Sequence, residues 1–474
     1  MFGRRFLGLA ALAASGGVAS AQPMTSAFGS RPTADLPAIP MALPAVSAMP
    51  PVPAKAVPPN RGAQLLTPVA EPMPKKVVAP PAPTVVNPAT TVVNPAAPPG
   101  FNAPCPVYTF EDDAMEASAN RFWASGQWLY WATSGQSLPA LATGSPVGTD
   151  RSLAGVLGSP NTSTLIGGNR ANNDFRNGYM LNAGYWLNDN QTRGIDGNFF
   201  FLGNSANNFA AASDGSQIIA RPFTNVLTGQ PDSELVSFPG VVGGAITARS
   251  QNQIIGGGIN GLQNICCNPC GGRLDAVVGF TYLNVSDSLQ INENLTSLPG
   301  QTLVPAGTQF QITDRFATSN NFYGGLVGLS GDRQFGRFFV GGRATVAFGA
   351  NNQIIDISGS TVVTPPGGPS TTYQGGLLAQ PSNIGHYERT VFAVLPALTL
   401  RGGVQVTDNV RVFAGYTFMY LSNVVRAGDQ IDPRVNTNQP PPATGAGGPA
   451  LPAFSPKSTD FWAQGISLGL QLNY

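Results

Sequence analysis

Hydrophobic and polar residues alternate strictly at the end of the chain. From residue 465 to residue 474 every second side chain is suited to a hydrocarbon neighbour, and those between are small or polar. The apolar set is Ile466, Leu468, Leu470, Leu472 and Tyr474, and the other set is Gly465, Ser467, Gly469, Gln471 and Asn473. A period of two residues is typical of a β-strand with one apolar and one polar face. The pattern fits a strand that faces lipid, and it also fits an edge strand of a soluble sandwich.

The same alternation recurs upstream and predicts ten strands, each with a core of about the 9–11 residues that cross a bilayer at a tilt. They lie at about residues 121–132, 175–188, 193–203, 245–262, 271–285, 311–330, 335–350, 384–403, 408–421 and 459–474. The most regular apolar faces are Tyr179, Leu181, Ala183, Tyr185 and Leu187; Leu274, Ala276, Val278, Phe280 and Tyr282; Phe338, Val340, Ala344, Val346 and Phe348; and Val410, Val412, Ala414, Tyr416, Phe418 and Tyr420. Arg273, Asp275, Arg343 and Arg411 lie on the opposite faces and are the candidates for lumen-facing residues.

The connections between these strands alternate between long and short. The long ones are residues 133–174, 204–244, 286–310, 351–383 and 422–456, and the short ones are 189–192, 263–270, 331–334 and 406–408. An even-stranded outer-membrane barrel has short periplasmic turns and long extracellular loops, whereas a soluble sandwich has no reason to sort its loops in this way. The sequence therefore predicts an all-β fold, a closed antiparallel transmembrane β-barrel of about ten strands (range 8–12).

Two features strain this prediction. Pro396 falls in the middle of the eighth strand, where it removes a ladder hydrogen bond and indicates a bulge or a misplaced register. Gln251, Asn252 and Gln253 make the fourth strand more polar than contact with lipid should allow.

The composition supports a membrane barrel. Of the 474 residues only 10% are charged, the net charge is +1, and 57 are glycine. Soluble domains carry about 25% charged residues, so this surface is not typical of one. No segment after the N-terminus has the 18 or so consecutive apolar residues that a membrane helix needs. There is no basic excess for nucleic acid, so the expected partner is outer-membrane lipid.

The first part of the chain is of a different kind. Residues 1–21 have a signal peptide's charged start, short apolar run and Ala-Ser-Ala cleavage site, which predicts export. Residues 22–106 are rich in proline and alanine, and predict an extended periplasmic linker because proline interrupts both helix and sheet. This arm could bind peptidoglycan or envelope proteins, or serve as a plain spacer. The barrel is assigned to residues 107–474.

Three sets of residues could form a disulfide, a catalytic site or a cation site. Cys105, Cys266, Cys267 and Cys270 could form a periplasmic disulfide, and a metal site or a redox pair is an alternative for them. His386, the only histidine, could meet Glu388 on one strand face, although an interfacial histidine without catalytic function fits as well. The acidic loop residues Asp232, Glu234, Asp429 and Asp432 could bind a cation or cap turns. Trp123, Trp128, Tyr130, Trp186, Phe461 and Trp462 are interpreted as an interfacial aromatic girdle.

Several long blocks resemble one bacterial family. They are residues 183–203 (AGYWLNDNQTRGIDGNFFFLG), 220–240, 318–329, 375–400, 421–432 (LSNVVRAGDQID) and 458–465 (STDFWAQG). They are similar to the outer-membrane β-barrel family catalogued as putative beta-barrel porin family seven, from about Phe122 to Tyr474. The resemblance implies the barrel fold, and it supplies no catalytic or ligand-binding residues.

The expected function follows from the predicted bore. Because about eight strands leave a filled interior and 16–18 leave an open channel, ten strands predict a narrow or largely plugged lumen. The first hypothesis is a porin that passes small solutes or ions through this lumen. The alternative is a non-conducting structural anchor or surface-interaction barrel tethered through its proline-rich arm. A barrel hydrolase is disfavoured, and no enzyme activity, cofactor or metal is expected.

Overall fold

The structure, a computed structural model, describes residues 121–268, 272–300, 304–442 and 447–474. The predicted signal peptide (1–21) and linker (22–106) lie outside these residues, so their assignment stays a prediction. Across the described ranges the regular structure is β-strand, apart from a single 3₁₀ turn at Gly428–Gln430. None of this part of the chain forms a helix long and apolar enough to span a membrane.

Ten long strands form a closed antiparallel barrel, which confirms the predicted fold. They are β1 (Phe122–Thr133), β2 (Arg176–Trp186), β3 (Arg193–Ser213), β4 (Val242–Asn268), β5 (Gly272–Ser297), β6 (Gln309–Phe335), β7 (Phe338–Thr364), β8 (Gly385–Thr407), β9 (Val410–Val425) and β10 (Ser458–Asn473). Each strand pairs with its neighbours in this order, and β10 pairs with β1 from Trp123↔Asn473 to Thr133↔Ala463. Phe122 and Tyr474 exchange two backbone hydrogen bonds of 2.7 Å, so both ends of the described barrel lie on one rim.

The predicted apolar faces point outward. Tyr179, Val278, Phe338 and Ile466 are 51–65% exposed. In β5 this outward apolar band covers residues 274–282, and the next outward side chains, Asn284 and Ser286, are polar. Nine residues match the length that crosses a bilayer at a tilt, so this band is the hydrocarbon-facing belt.

Five strands run far beyond the belt, which corrects the predicted loop boundaries. Residues 204–244, 286–310 and 351–383 were expected to be loops, but β3 continues to Ser213, β5 to Ser297 and β7 to Thr364. The lipid-facing pattern ends where the belt ends, and the strands continue because their inner faces pack on the folded loops. The remaining connections still alternate: residues 134–175, 214–241, 298–308, 365–384 and 426–457 are long, and 187–192, 269–271, 336–337 and 408–409 are short.

The long loops build a second layer of sheet over the extracellular mouth. Its five strands are Ala142–Ser145, Ser163–Ile166, Ile218–Asn225, Gln230–Ser237 and Arg434–Val435. Two smaller pieces are the pair Gln136–Ser137 with Arg170–Ala171, and the strand Thr371–Gln374, which pairs antiparallel with the end of β7. We call this loop assembly the cap.

The two sequence features that disagreed with the predicted barrel, Pro396 and the polar residues 251–253, both have local explanations. The β7–β8 ladder runs through Pro396 opposite Val346, and pairing with β9 begins only at the next residue, Ala397. Pro396 has no backbone N–H, but it lies just before the pairing of β8 with β9 begins, so no hydrogen bond between these strands is lost. The register of β7 with β8 is continuous through Pro396, and the predicted bulge is therefore wrong. Gln251, Asn252 and Gln253 lie beyond the belt, at a register shift between Asn252 and Ile254, so they do not contact hydrocarbon.

Aromatic rings on the inner wall lie over glycines of the neighbouring strand. The directly paired residues are Trp123 and Gly184, Trp186 and Gly194, Phe200 and Gly256, Trp131 and Gly465, and Phe413 and Gly469. A Cβ on any of these glycines would lie 2.4–2.6 Å from a ring atom, so only glycine fits. The girdle interpretation is therefore wrong for Trp123, Trp186 and Phe461, which face the lumen. Trp128 and Tyr130 are exposed on the outer face, as a girdle requires, and for them the interpretation stays a prediction.

Replacing one of these glycines should destabilise the barrel. In Gly184→Ala the new methyl would lie 2.4 Å from the ring of Trp123, and such overpacking costs about 1–3 kcal/mol. Gly325→Ala is the control, because a Cβ there meets nothing within 4 Å. We expect denaturant unfolding in detergent, followed by the gel mobility of the folded form, to shift for Gly184→Ala alone. Equal midpoints for both variants would contradict this packing.

The barrel lumen as the candidate functional site

Charged side chains line the periplasmic half of the lumen. The structure places the predicted residues Arg273, Asp275, Arg343 and Arg411 on the inner face of β5, β7 and β9. It adds Asp196, Asp332 and Arg401, which the sequence analysis did not single out. We call these seven residues the vestibule.

The vestibule charges form ion pairs, but two of the four arginines share one aspartate. Arg343 pairs with Asp196, and Arg273 pairs with Asp275 at 2.6 Å. Arg401 and Arg411 share the single carboxylate of Asp332, at 3.6 and 3.5 Å. With four arginines against three aspartates, the vestibule has a positive excess. Next to it a cavity of about 420 Å³ opens at the periplasmic rim, lined in part by Arg273, Asp332 and Gly341.

Above the vestibule a buried apolar layer fills the barrel. Every strand contributes to it, since nine carry buried members and Met180 of β2 packs against them. The buried members are Leu129, Trp131, Phe200, Leu202, Ile254, Leu283, Val285, Phe322, Ala347, Ala393, Leu395, Met419, Leu421, Val424, Phe461 and Ala463. Leu129, Trp131 and Phe322 have no accessible surface. The layer therefore reaches all ten strands, and none of its buried members is more than 7% exposed.

A buried polar layer follows on the extracellular side. Arg426, from the segment after β9, binds Asp287 of β5 at 2.5 Å and the carbonyl of Gly135 at 2.7 Å. Arg176 of β2 donates to the side chain and carbonyl of Asn252. Because a buried charge without its partner is costly, this network fixes the first and last loops against the barrel wall.

The cap has its own core and a buried charge cluster. Leu138, Phe223 and Ile431 of the loops pack on inner-face residues of the strand extensions, such as Leu289 and Phe316. This apolar contact joins the cap to the barrel along the extensions.

Within the cap, Arg221 is fully buried between two carboxylates of the barrel. It pairs with Glu293 of β5 and, at 2.8 Å, with Asp314 of β6. Glu234, on the strand beside Arg221, adds a third carboxylate, and its Oε2 is buried without a hydrogen-bond partner among the described residues. Burial and the nearby Glu293 raise the pKa of Glu234 to about 8, and burial raises the pKa of Glu293 as well.

The other predicted sites gain little from the structure. Cys266 is an exposed free thiol; Cys105, Cys270 and the side chain of Cys267 lie outside the described residues, so a disulfide among them stays a prediction. His386 Nδ1 lies 2.6 Å from Asp356, whereas Glu388 accepts a hydrogen bond from Asn352. The described residues contain no cluster of His, Cys, Asp or Glu suited to a metal ion.

The acidic loop residues have partners within the cap. Asp232 accepts from the side chain of Asn225 at 3.0 Å, and Asp432 accepts from Arg434 and from the backbone of Ala453. These hydrogen bonds within the cap account for the positions of the Asp232 and Asp432 side chains, in line with the structural alternative to cation binding.

Some site residues had a sequence signal that was overlooked. Asp332 lies two residues beyond the strand predicted at 311–330, and Arg401 lies within the strand predicted at 384–403. Both alternate with outward apolar residues, as Arg343 does. The apolar layer had no such signal, because Leu129 or Phe200 on an inner face looks the same in sequence as an irregular lipid-facing residue.

Comparisons with known proteins agree with the barrel. The chain matches the family described as Putative beta barrel porin-7 over residues 123–474. No curated protein matches it.

Among solved structures, the outer membrane protease OmpT of Escherichia coli is similar at 10% identity, with 76% of this chain and 99% of that chain covered and a TM-score of 0.36. A FadL homologue of Pseudomonas aeruginosa (8% identity, 75% and 90% covered, TM-score 0.20) and an anion-selective porin of Comamonas acidovorans (7%, 74% and 98%, 0.16) are also similar. Scores this low carry no argument about function.

The cap should loosen as the pH rises. A carboxyl group whose pKa is raised on folding stabilises the fold at low pH, and that contribution is lost as the pH rises toward the folded-state value. We expect amides of residues 218–237, corrected for intrinsic exchange, to be more protected at pH 6 than at pH 9, by at least about 1.4 kcal/mol, the value of one pKa unit.

Glu234→Gln should remove most of this difference, because the amide cannot ionise. Glu388→Gln, at an exposed carboxylate on the outer surface, is the matched control and should leave it unchanged. Protection that is equal at both pH values, or greater at pH 9, would contradict this description of the charge cluster.

Proposed function

This chain belongs to the Putative beta barrel porin-7 family and is an outer-membrane β-barrel; from this premise we propose that its resting state is closed to solutes and that it anchors the cap at the cell surface. The apolar layer is the observation that carries the proposal. It favours the non-conducting alternative over the open porin of the first hypothesis.

The energetic argument concerns desolvation. An ion in the periplasmic vestibule has polar partners, such as Arg343 and Asp332, but beyond them it would meet buried apolar side chains. Moving a bare ion into such surroundings costs several kcal/mol even after relaxation. Hydrophobic constrictions close channels by the same physics, because water leaves them.

The extracellular side supports a role in surface contact. In the first long loop Val147, Leu153, Leu157 and Leu165 are 42–66% exposed. Exposed apolar side chains that form a contiguous patch mark interaction sites, and four from one loop are candidates for such a patch. The cap presents this loop on a rigid base, and the arm of residues 22–106 would join the barrel to peptidoglycan or to other envelope proteins.

Passage of small solutes or ions is the second candidate function. The charged vestibule and the description of the family as porins support it. Passage would require the apolar layer to open, and the vestibule would then select solutes by charge. We expect no enzymatic activity in either case.

Conductance measurements test the closed state. In a planar bilayer the wild-type protein should give no single-channel steps. Trp131→Ala combined with Phe200→Ala removes two rings of the layer whose centroids lie 5.7 Å apart, and this variant should leak. Trp123→Ala, an inward ring outside the layer, is the control and should be silent. Regular steps from the wild type would overturn the closed state and favour the porin.

A further inference from the structure

The cavity at the periplasmic rim opens on the outer face of the barrel wall. Three of its lining side chains, Leu274, Val340 and Leu400, point outward and are 37–53% exposed. Arg273 and Asp332, which also line it, are alternate, inward residues of the same strands. The cavity of about 420 Å³ therefore faces the surrounding lipid, and the wall separates it from the lumen.

Two glycines form the floor of this cavity. Gly331 of β6 pairs with Leu274 of β5. On its other side Gly331 pairs with Gly342 of β7, which in turn pairs with Leu400 of β8. Leu274 and Leu400 are therefore three strand spacings apart, about 14 Å, and the two positions between them carry no side chain. The result is a groove in the lipid-facing surface, which we call the wall groove.

The wall groove lies at the periplasmic end of the hydrocarbon-facing belt. Leu274 is the first residue of the belt in β5, so an acyl chain beside Gly331 would still be in hydrocarbon. Arg333, two residues further along β6, points outward and pairs with Gly272, which lies outside the belt. Because two residues of a strand span about 6.6 Å, the long side chain of Arg333 can hold its charge at the level of the lipid headgroups.

Arg333 has no anionic partner among the described residues. Its guanidinium lies over the ring of Phe335, with Cζ 4.8 Å from the ring centre. The carboxylate of the preceding residue, Asp332, is on the opposite face of the wall and pairs with vestibule arginines. Arg337, exposed in the adjacent turn, adds a second positive charge. A guanidinium with free N–H donors favours a phosphate, which it binds through paired hydrogen bonds.

We propose that the wall groove and Arg333 together bind one phospholipid of the periplasmic leaflet. One acyl chain lies over Gly331 and Gly342, and the headgroup phosphate accepts hydrogen bonds from Arg333. The apolar groove alone would hold any acyl chain and the arginine alone any phosphate, so the combination selects a phospholipid. This goes beyond the proposed function, because the lipid lies outside the wall and leaves the closed state unchanged.

Lipid retention, measured by native mass spectrometry of the folded full chain, tests the proposal. The protein is mixed in detergent with equal amounts of dioleoyl phosphatidylglycerol and dioleoylglycerol, which has the same acyl chains and no phosphate. We expect one phosphatidylglycerol molecule to stay bound at detergent concentrations that remove dioleoylglycerol. Glycerophosphoglycerol, which is the headgroup without chains, should not displace it.

Two substitutions separate the two parts of the site. Arg333→Gln should bind the lipid about tenfold more weakly, which corresponds to about 1.4 kcal/mol, near the lower end for a hydrogen bond to a charged group. Gly331→Leu should lower the occupancy several-fold by filling the groove, and a Cβ there makes only ordinary contacts of 3.5 and 3.7 Å. The controls are Arg193→Gln, at another exposed rim arginine, and Gly325→Leu, at an outward position of β6 where a Cβ meets nothing within 4 Å. Both should retain the lipid as the wild type does.

Gel mobility of the unheated protein verifies that each variant is folded. Should Gly331→Leu not fold, Arg333→Gln and Arg333→Lys decide, since lysine keeps the charge and should recover part of the binding. Equal retention of the two lipids, displacement by the headgroup alone, or equal binding by the variants and their controls would each overturn the proposal. The conductance result is independent of all of these.

Discussion

The constraint on which the structure depends is that hydrocarbon offers no partner for a backbone N–H or C=O group. A sheet that crosses a bilayer must therefore pair every strand on both sides, and only a closed ring does so. The pairing of β10 with β1, eleven residues long, completes this ring. Each side chain then faces either lipid or the lumen, so the alternation along the strands follows from closure.

A ring of ten strands also determines what the lumen can contain. Its bore is too narrow for large side chains to stand upright on every strand. Trp131 and Phe200 therefore lie over glycines of the adjacent strands, and a Cβ at Gly256 would lie 2.4 Å from the ring of Phe200. The glycines allow the rings to lie against the wall, and the rings meet to form the apolar layer. Glycine at these paired positions is thus a packing requirement of a narrow, filled barrel.

Above the belt the same strands serve a different purpose. Their outer faces lie beyond the hydrocarbon and can form hydrogen bonds with water, so the outward side chains there are polar. Their inner faces hold the cap through apolar contacts and buried ion pairs. The pairs Arg426–Asp287 and Arg221–Glu293 connect loops to barrel strands distant in sequence. Breaking one partner of such a buried pair is strongly destabilising, so these pairs fix one arrangement of the cap.

The sequence was sufficient for the features that repeat with a period of two. Strand number, the order of long and short connections, and the outward faces of residues such as Val278 and Ile466 could all be predicted, because lipid contact imposes a uniform chemistry. The extensions of β3 and β7 could not, since their outer residues resemble those of a loop. Nor could the orientation of Trp123 and Trp186, because a tryptophan near a strand end fits both a girdle and a ring over glycine. The apolar layer depends on which inward residues share one height, and only the register of ten strands determines that.

Two tryptophans on β1 allow the most direct test of the central claim, that lipid lies on one side of this wall and a dry protein interior on the other. Trp128 points outward and is 37% exposed, and Trp131, three residues away, is completely buried inside. Single-tryptophan proteins that retain one or the other can be reconstituted in bilayers with brominated acyl chains. The fluorescence of Trp128 should be strongly quenched and that of Trp131 should not. Equal quenching, or stronger quenching of Trp131, would contradict the account.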